Sequence, residues 1–269
     1  MLIRVGFSAD PDDAFMFWGL ASGTVDARGY EFEPVTEDIQ TLNELALDGK
    51  LEVTAISLAT YPLVYERYAL LSHGGSMGAG YGPVVVAKEK LSLDELRSTE
   101  IVVPGKLTTA FLVLGLALGE FAYRVLPIDE ILDEVASGRA RAGLLIHEGQ
   151  LTYRDEGLVK CLDLGEWWLL DTGLPLPLGV NVIRRDLGED IVHEISDVLR
   201  ASIDAALENR EEALEYALTF GRGLDEVRGD RFIDMYVNEL TQDYGDEGRQ
   251  AVRELLARSG HTVQVSFVE

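Results

Sequence analysis

Apolar and polar residues follow two different periods along this chain of 269 residues. In the first two-thirds, short apolar runs alternate with stretches whose apolar residues recur every three or four positions. The runs Leu2–Ser8 and Val53–Ser57 are typical of buried strands, and residues 37–47, closed by Gly49, are typical of an amphipathic helix. This alternation predicts an α/β protein with parallel sheets covered by helices on both faces.

The same patterns predict the other elements. Further strands are expected at 30–35, 68–73, 83–87, 100–104, 122–126, 142–147, 158–162 and 180–183. Further helices are expected at 12–21, 108–121 and 129–137. Helical spacing then dominates at 187–207, 211–220, 225–240 and 247–259, which predicts a helical C-terminal part.

Two interruptions indicate where the chain passes between lobes. A polar, charged stretch at 88–92 opens a new α/β unit, and the run Gly173-Leu-Pro-Leu-Pro-Leu-Gly179 is expected to break regular structure. We therefore expect a discontinuous lobe 1 at 1–88 and 183–269, a lobe 2 at 89–182, and two crossover strands. A cleft between two such lobes is a typical site for a small ligand.

His147 is the first candidate for chemistry. The apolar run Ala142-Gly-Leu-Leu-Ile146 ends on His147 and Glu148, and open α/β sheets bind ligands beyond the carboxyl ends of their strands. Imidazole titrates near neutral pH and suits general acid–base catalysis. A histidine satisfied by a core hydrogen bond is the alternative, and the residues leave both open.

The segment Gly105-Lys-Leu-Thr-Thr-Ala110 is the second candidate. It follows a predicted strand and opens a predicted helix, so its backbone N–H groups favour a carboxylate or phosphate. Thr108 is also a good N-cap, a role that is compatible with ligand contact. Ser8 and Ser57 end two strands and are candidate donors, although the residues favour an ordinary cap or turn role for each of them taken singly.

Charge, cysteine content and hydropathy exclude several kinds of partner and site. The chain has 23 basic and 47 acidic residues, a formal net charge of −24, which argues against nucleic-acid binding. The single cysteine, Cys161, excludes an intrachain disulfide and a cysteine-based zinc site. No apolar run reaches the roughly 20 residues of a membrane span, and residues 1–7 lack a leader pattern, so we expect a cytoplasmic protein without membrane contact.

Short motifs over nearly the whole chain carry a family resemblance. They include Gly6-Phe-Ser8, Thr41-Leu-Asn43, Ser57, Val103-Pro-Gly105, Thr108-Thr-Ala110, Ile146-His-Glu148, Leu162-Asp-Leu-Gly-Glu-Trp-Trp168 and Thr172-Gly-Leu-Pro-Leu-Pro-Leu-Gly179. Many short motifs in one order are more specific than any one of them. Together they resemble the 1,4-dihydroxy-6-naphthoate synthase family, from the futalosine route to menaquinone.

The resemblance implies a periplasmic-binding-protein-like fold of type II and a carbon–carbon lyase. Its substrate would be cyclic dehypoxanthinyl futalosine, a small-molecule carboxylate, and its product 1,4-dihydroxy-6-naphthoate, without cofactor or metal. His147 would be the general base. The residues implied in substrate binding are Ser8, Asn43, Ala55, Ile56, Ser57, Thr108, Thr109 and Ala110. The loop amides and the Thr108 hydroxyl would suit the substrate's carboxylate.

The chain departs from the family pattern near its start. The family reads Ser-x-Cys-Pro-Asn-Asp-Thr where this chain has Ser8-Ala-Asp-Pro-Asp-Asp-Ala14, and it often has lysine where this chain has Ala55. Fewer cations and more acid are expected to weaken the binding of an anionic substrate. Two alternative functions stay open: a small-carboxylate-binding protein without catalysis, and a sibling enzyme such as chorismate dehydratase. The oligomeric state also stays open, and a homodimer is one possibility.

Overall fold

The computed structural model of the chain describes residues 1–220 and 225–268. Its strands are β1 Leu2–Ser8, β2 Glu31–Glu37, β3 Val53–Ser57, β4 Tyr68–Leu71, β5 Ser76–Gly78, β6 Val84–Ala87, β7 Ile101–Val103, β8 Tyr123–Val125, β9 Ala142–Leu145, β10 Val159–Asp163, β11 Leu176–Arg184 and β12 Phe267–Val268. Its α-helices are α1 Pro11–Ala21, α2 Ile39–Asp48, α3 Tyr61–Val64, α4 Leu93–Arg97, α5 Thr109–Leu118, α6 Ile128–Ala136, α7 Gly149–Thr152, α8 Leu164–Thr172, α9 Glu189–Glu208, α10 Arg210–Leu218, α11 Glu226–Tyr236, α12 Glu239–Gln242 and α13 Gly245–Arg258. The α/β class predicted from the hydrophobic pattern is confirmed.

The chain forms two compact units. The first consists of Met1–Met77 and Pro177–Glu269, and the second of Gly78–Leu176. Both boundaries come earlier than the predicted 88/89 and 182/183. The first is earlier because β6 pairs with β9 and β10 and so belongs to the second unit. The second is earlier because β11 already starts at Leu176 and pairs with β3 and β4.

The first unit is built on a mixed sheet. Its strand order is β12-β4-β11-β3-β1-β2, with β5 paired to β11. β1 is parallel to β2 and β3, whereas β11 is antiparallel to β3 and β4. The prediction of parallel sheets is therefore confirmed for β1, β2 and β3 and wrong for β11. The physical reason is that β11 starts at the edge where β3 ends, with Gly179 opposite Ser57, and so must run back along the sheet.

Helices α1 and α9 cover the first unit's sheet and close its core. Phe15, Ile195 and Ile203 on these helices are at most 1% exposed and pack with strand residues such as Ile3 and Val53. The two helices approach closely because α1 has a glycine, Gly19, where any Cβ would lie 2.8 Å from the Ser202 Cα. The Ser202 hydroxyl donates to the Met16 carbonyl oxygen at 2.8 Å, so this helix contact is satisfied by hydrogen bonding as well as packing.

The second unit has a five-stranded sheet in the order β10-β6-β9-β7-β8. β7 is parallel to β8 and β9, while β6 is antiparallel to β9 and β10. Helix α6 packs on this sheet with Ile131 and Val135, both fully buried. Gly143 of β9 permits that contact, because a Cβ there would lie 2.7 Å from Val135 and 2.9 Å from Ile131.

Two local predictions are corrected by the structure. The run at 173–179 does not break regular structure throughout, because its last four residues begin β11. Proline at position 177 is tolerated at the start of a strand, where a missing N–H costs little. The helix predicted at 225–240 divides into α11 and α12, and α8 was not predicted.

No helix within the described ranges is long and apolar enough to cross a membrane.

Candidate functional site

The candidate residues of the second unit meet at one edge of its sheet. β7 and β9 are parallel neighbours, with Ile101 opposite Ala142 and Val102 opposite Gly143. Their carboxyl ends therefore lie side by side. His147 follows β9 by two residues, and the loop from residue 104 to Thr108 follows β7 directly. This edge brings together the two features that the sequence singled out in this unit.

His147 lies in a turn and not in the strand that the apolar run predicted. β9 ends at Leu145, and the His147 backbone adopts φ +52°, in the left-handed region. A strand cannot continue through that conformation, which explains why the predicted strand of 142–147 is too long. The turn is closed by the Gln150 N–H, which donates to the His147 carbonyl oxygen at 3.1 Å.

The left-handed backbone of His147 is a conformation that costs energy in most residues. Histidine is among the residues found there more often than average, and such strained positions cluster at functional sites. The side chain is half-buried, at the carboxyl edge of the sheet. A half-buried imidazole on a hydrogen-bonded turn is suited to contacting a ligand and transferring one proton.

The loop between β7 and α5 is held by Thr108. Its hydroxyl donates to the Gly105 carbonyl oxygen at 2.9 Å and accepts from the Phe111 N–H at 3.1 Å. Thr108 is therefore the N-cap of α5, as predicted. Its single hydroxyl hydrogen is used inside the loop, so the backbone N–H groups of the first turn of α5 are the better donors for an anion.

The neighbouring residues Thr109 and Ala110 begin helix α5. Their exposed fractions are 2% and 3%, so both side chains lie inside the unit. Ala110 has no polar side-chain atom, and it can serve a ligand only through its backbone. The role predicted for it is thus a main-chain role.

Asn43 and Ser57 form a buried pair at the edge of the first unit's sheet. The Ser57 N–H donates to Asn43 Oδ1 at 2.8 Å, and Asn43 Nδ2 donates to Ser57 Oγ at 3.1 Å. Asn43 is fully buried on α2, and Ser57 is the last residue of β3. Because Ser57 Oγ accepts from Asn43, its own hydrogen is directed elsewhere. The pair thus fixes Ser57 as a hydrogen-bond donor.

The other residues predicted in the first unit have different surroundings. Ala55 and Ile56 are buried in β3, Ala55 against Leu42 and Leu51, so their side chains offer no polar group. Ser8 ends β1 and is 3% exposed, and its N–H donates to Asp13 Oδ2 at 2.8 Å. Since β1 and β3 are parallel neighbours, Ser8 and Ser57 end at the same edge of this sheet.

The burial of His73, a titratable residue, was not predicted from the sequence. His73 follows β4, is fully buried, and has Nε2 2.9 Å from Ser196 Oγ. Burial, reinforced by the positive charge of Arg200, lowers the pKa of His73 from 6.5 to about 3. It is therefore neutral near pH 7. The sequence did contain one signal for a site at His73, because this histidine follows an apolar run, as His147 does.

A metal-binding arrangement is not found in the described part of the chain. No group of three or more His, Cys, Asp or Glu residues there is placed to hold a metal ion.

Comparisons with known proteins place these features in a family context. A family model described as menaquinone biosynthesis matches residues 3–261. A 1,4-dihydroxy-6-naphtoate synthase of Thermus thermophilus is 42% identical over 257 residues, covering 96% of this chain and 93% of the relative. A solved structure of an Archaeoglobus fulgidus protein is 47% identical, with a TM-score of 0.92 and 96% of each chain covered.

The fold is also shared by distant proteins. A Candida albicans protein described as having the generic periplasmic binding protein fold has a TM-score of 0.72 at 12% identity, covering 99% of this chain and 92% of the other. At that identity the likeness concerns the fold alone. The periplasmic-binding-protein-like fold expected from the motifs is confirmed.

Proposed function

Because the chain belongs to the menaquinone biosynthesis family, we propose that it forms 1,4-dihydroxy-6-naphthoate from cyclic dehypoxanthinyl futalosine. The name of the Thermus thermophilus relative supports the product, and the match extends over 96% of this chain. The small-molecule substrate is a carboxylate, in keeping with a naphthoate product. The family resemblance read from the motifs is thereby confirmed, whereas the route that supplies the substrate is part of the proposal.

The geometry of His147 is the observation that supports catalysis most directly. His147 lies in a turn where its backbone is left-handed, at the carboxyl edge of the sheet and beside the loop that precedes α5. We assign it the role of general base, which takes a proton from the carbon skeleton of the substrate. Loss of that proton starts carbon–carbon cleavage, and formation of an aromatic ring supplies the driving force.

Substrate-binding roles are assigned within each unit by itself, to residues at the carboxyl edge of its sheet. The first N–H groups of α5, at Thr109 and Ala110, suit the carboxylate, because they carry the positive end of the helix dipole. The Ser57 hydroxyl, oriented by Asn43, suits a carbonyl or hydroxyl oxygen. In this proposal, the backbones of four further residues contribute to substrate binding: Ser8, Ala55, Ile56 and Thr108.

The experiment that tests the function is direct conversion. Purified protein is incubated with cyclic dehypoxanthinyl futalosine, and 1,4-dihydroxy-6-naphthoate is followed by liquid chromatography with mass detection. Product that is lost in His147→Asn and kept in His193→Asn, a matched change of an exposed histidine on α9, supports both the reaction and the base. A folded protein that leaves the substrate intact would contradict the proposal and favour a carboxylate-binding protein.

A further inference from the structure

We propose that Lys106 binds the carboxylate of the ligand and thereby makes this site selective for carboxylates. The proposal rests on the function assigned above and names a residue that recognises its substrate.

Lys106 lies at the same sheet edge as His147. β7 ends at Val103, and Lys106 follows three residues later, before the N-cap Thr108. The hydrogen bond from the Thr108 hydroxyl to the Gly105 carbonyl oxygen, 2.9 Å long, ties down the backbone on both sides of Lys106. The position of the lysine is therefore set by the loop, while its long side chain stays free to reach a ligand.

Lys106 is an exposed cation without an ion pair among the described residues. Two other lysines of the same unit are held by polar partners, whereas Lys88, which also lacks one in the described part of the chain, follows β6 at the opposite edge of the sheet. Lys160 is held by Asp163 at 2.8 Å and Glu166 at 2.9 Å, and the Lys90 ammonium donates to two carbonyl oxygens. In a chain with 47 acidic and 23 basic residues, an ammonium that no carboxylate neutralises is available for an external anion.

The chemistry of the loop favours a carboxylate as that anion. The Thr108 hydrogen is already donated, and Ala110 has an apolar side chain, so Lys106 is the residue of this loop that can add a charge. The N-terminal N–H groups of α5 favour the same sign of ligand. A net charge of −24 repels an anionic substrate, and a local cation offsets that repulsion at the site.

The test compares three variants in steady-state kinetics. We expect Lys106→Gln to raise KM by about 10- to 100-fold, the size of one hydrogen bond to a charged group, with kcat nearly unchanged. Lys106→Arg is expected to restore most of the affinity. Lys88→Gln is the matched control, because Lys88 is exposed and unpaired among the described residues and follows β6 at the opposite edge of the same sheet.

A second readout does not depend on turnover. Binding of 2-naphthoate and of uncharged 2-naphthamide is measured by calorimetry in wild-type protein and in Lys106→Gln. The proposal expects wild type to prefer the carboxylate and the variant to lose most of that preference, with the difference shrinking at high ionic strength.

The outcomes separate the proposal from the function on which it rests. An active wild type with unchanged KM in Lys106→Gln would overturn the role of Lys106 and leave the function standing. An equal rise in Lys88→Gln would also overturn it, since the effect would then belong to net charge. A wild type that shows neither turnover nor preference for the carboxylate would overturn both.

Discussion

At the scale of single residues, the backbone conformation of His147 determines which substitution can test its proposed role as general base. With φ at +52°, most substitutions there would add strain to the loss of the imidazole. Asparagine tolerates the left-handed region and removes the base. It is therefore the change that tests chemistry with the least disturbance of the turn.

We predict that His147→Asn lowers kcat by about 10²- to 10⁴-fold, the usual contribution of a general base, without loss of folding. The measurement is product formation under saturating substrate, with circular dichroism and thermal unfolding as checks of the fold. His193→Asn, on the exposed face of α9, serves as the control. Turnover near the wild-type rate in a folded His147→Asn would remove His147 from the chemistry.

The Asn43–Ser57 pair gives a second prediction at this scale. Asn43→Ala leaves the buried Ser57 N–H without its acceptor, so we expect the free energy of unfolding to fall by about 1–3 kcal/mol. Ser57→Ala removes only the hydroxyl, and its effect should be smaller. Urea unfolding of both variants and the double variant measures the coupling. Strictly additive effects would show that the two side chains do not act as a unit.

Some of these features of single residues could be predicted from the sequence. His147 and Thr108 stood out because each follows an apolar run, and Thr108 is the N-cap that was expected. The mutual hydrogen bonds of Asn43 and Ser57 could not be predicted from periodicity, because they join a helix to a strand end. The full burial of His73 was equally out of reach, since it depends on packing against Ser196 in α9.

At the scale of elements, strong periodicity predicted position well. The strands Leu2–Ser8 and Val53–Ser57 have the predicted bounds. Helix α8 was missed because apolar residues surround its helical axis, so Leu164–Thr172 shows no one-sided stripe. The antiparallel direction of β11 was missed because direction depends on the edge at which the chain returns, which a local pattern does not contain.

Glycine marks where α8 meets the rest of the second unit, and it provides the element-scale prediction. A Cβ on Gly165 would lie 2.0 Å from the Tyr81 carbonyl oxygen, which is backbone and cannot turn aside. We expect Gly165→Ala to destabilise the protein by about 3 kcal/mol or more, through displacement of the start of α8. Chemical denaturation monitored by tryptophan fluorescence measures this, because Trp168 is buried in the same helix.

Gly115 of α5 is the matched control for that change. A Cβ there meets nothing within 4 Å, so Gly115→Ala should stabilise the protein by about 0.5–1 kcal/mol through helix propensity. Equal effects of the two alanines would contradict the claim that close backbone approach, and not glycine itself, decides the outcome.

At the scale of the whole molecule, charge and buried polar groups determine the response to pH. The 47 acidic residues leave a net charge of −24 near neutral pH, which favours solubility and repels anionic partners. Acid removes that charge progressively. Against this background, the burial of one neutral histidine adds a dependence with a definite sign.

His73 should make the folded state lose stability as the pH falls from about 6.5 towards 3. Burial lowers its pKa to about 3 in the folded state, while the unfolded chain keeps the ordinary value of 6.5. Between these values the unfolded state binds the additional proton, so its contribution to stability is complete above pH 6.5 and is lost on acidification. The slope from one such group reaches about 1.4 kcal/mol per pH unit.

His73→Gln keeps a hydrogen-bonding side chain beside Ser196 and removes the titration, so its free energy of unfolding should vary less steeply over this range than that of wild type. Urea unfolding at several pH values measures both slopes, with His193→Gln as the exposed control. Equal slopes in wild type and His73→Gln would show that His73 is protonated equally in both states, and the acid sensitivity would then belong to the carboxylates.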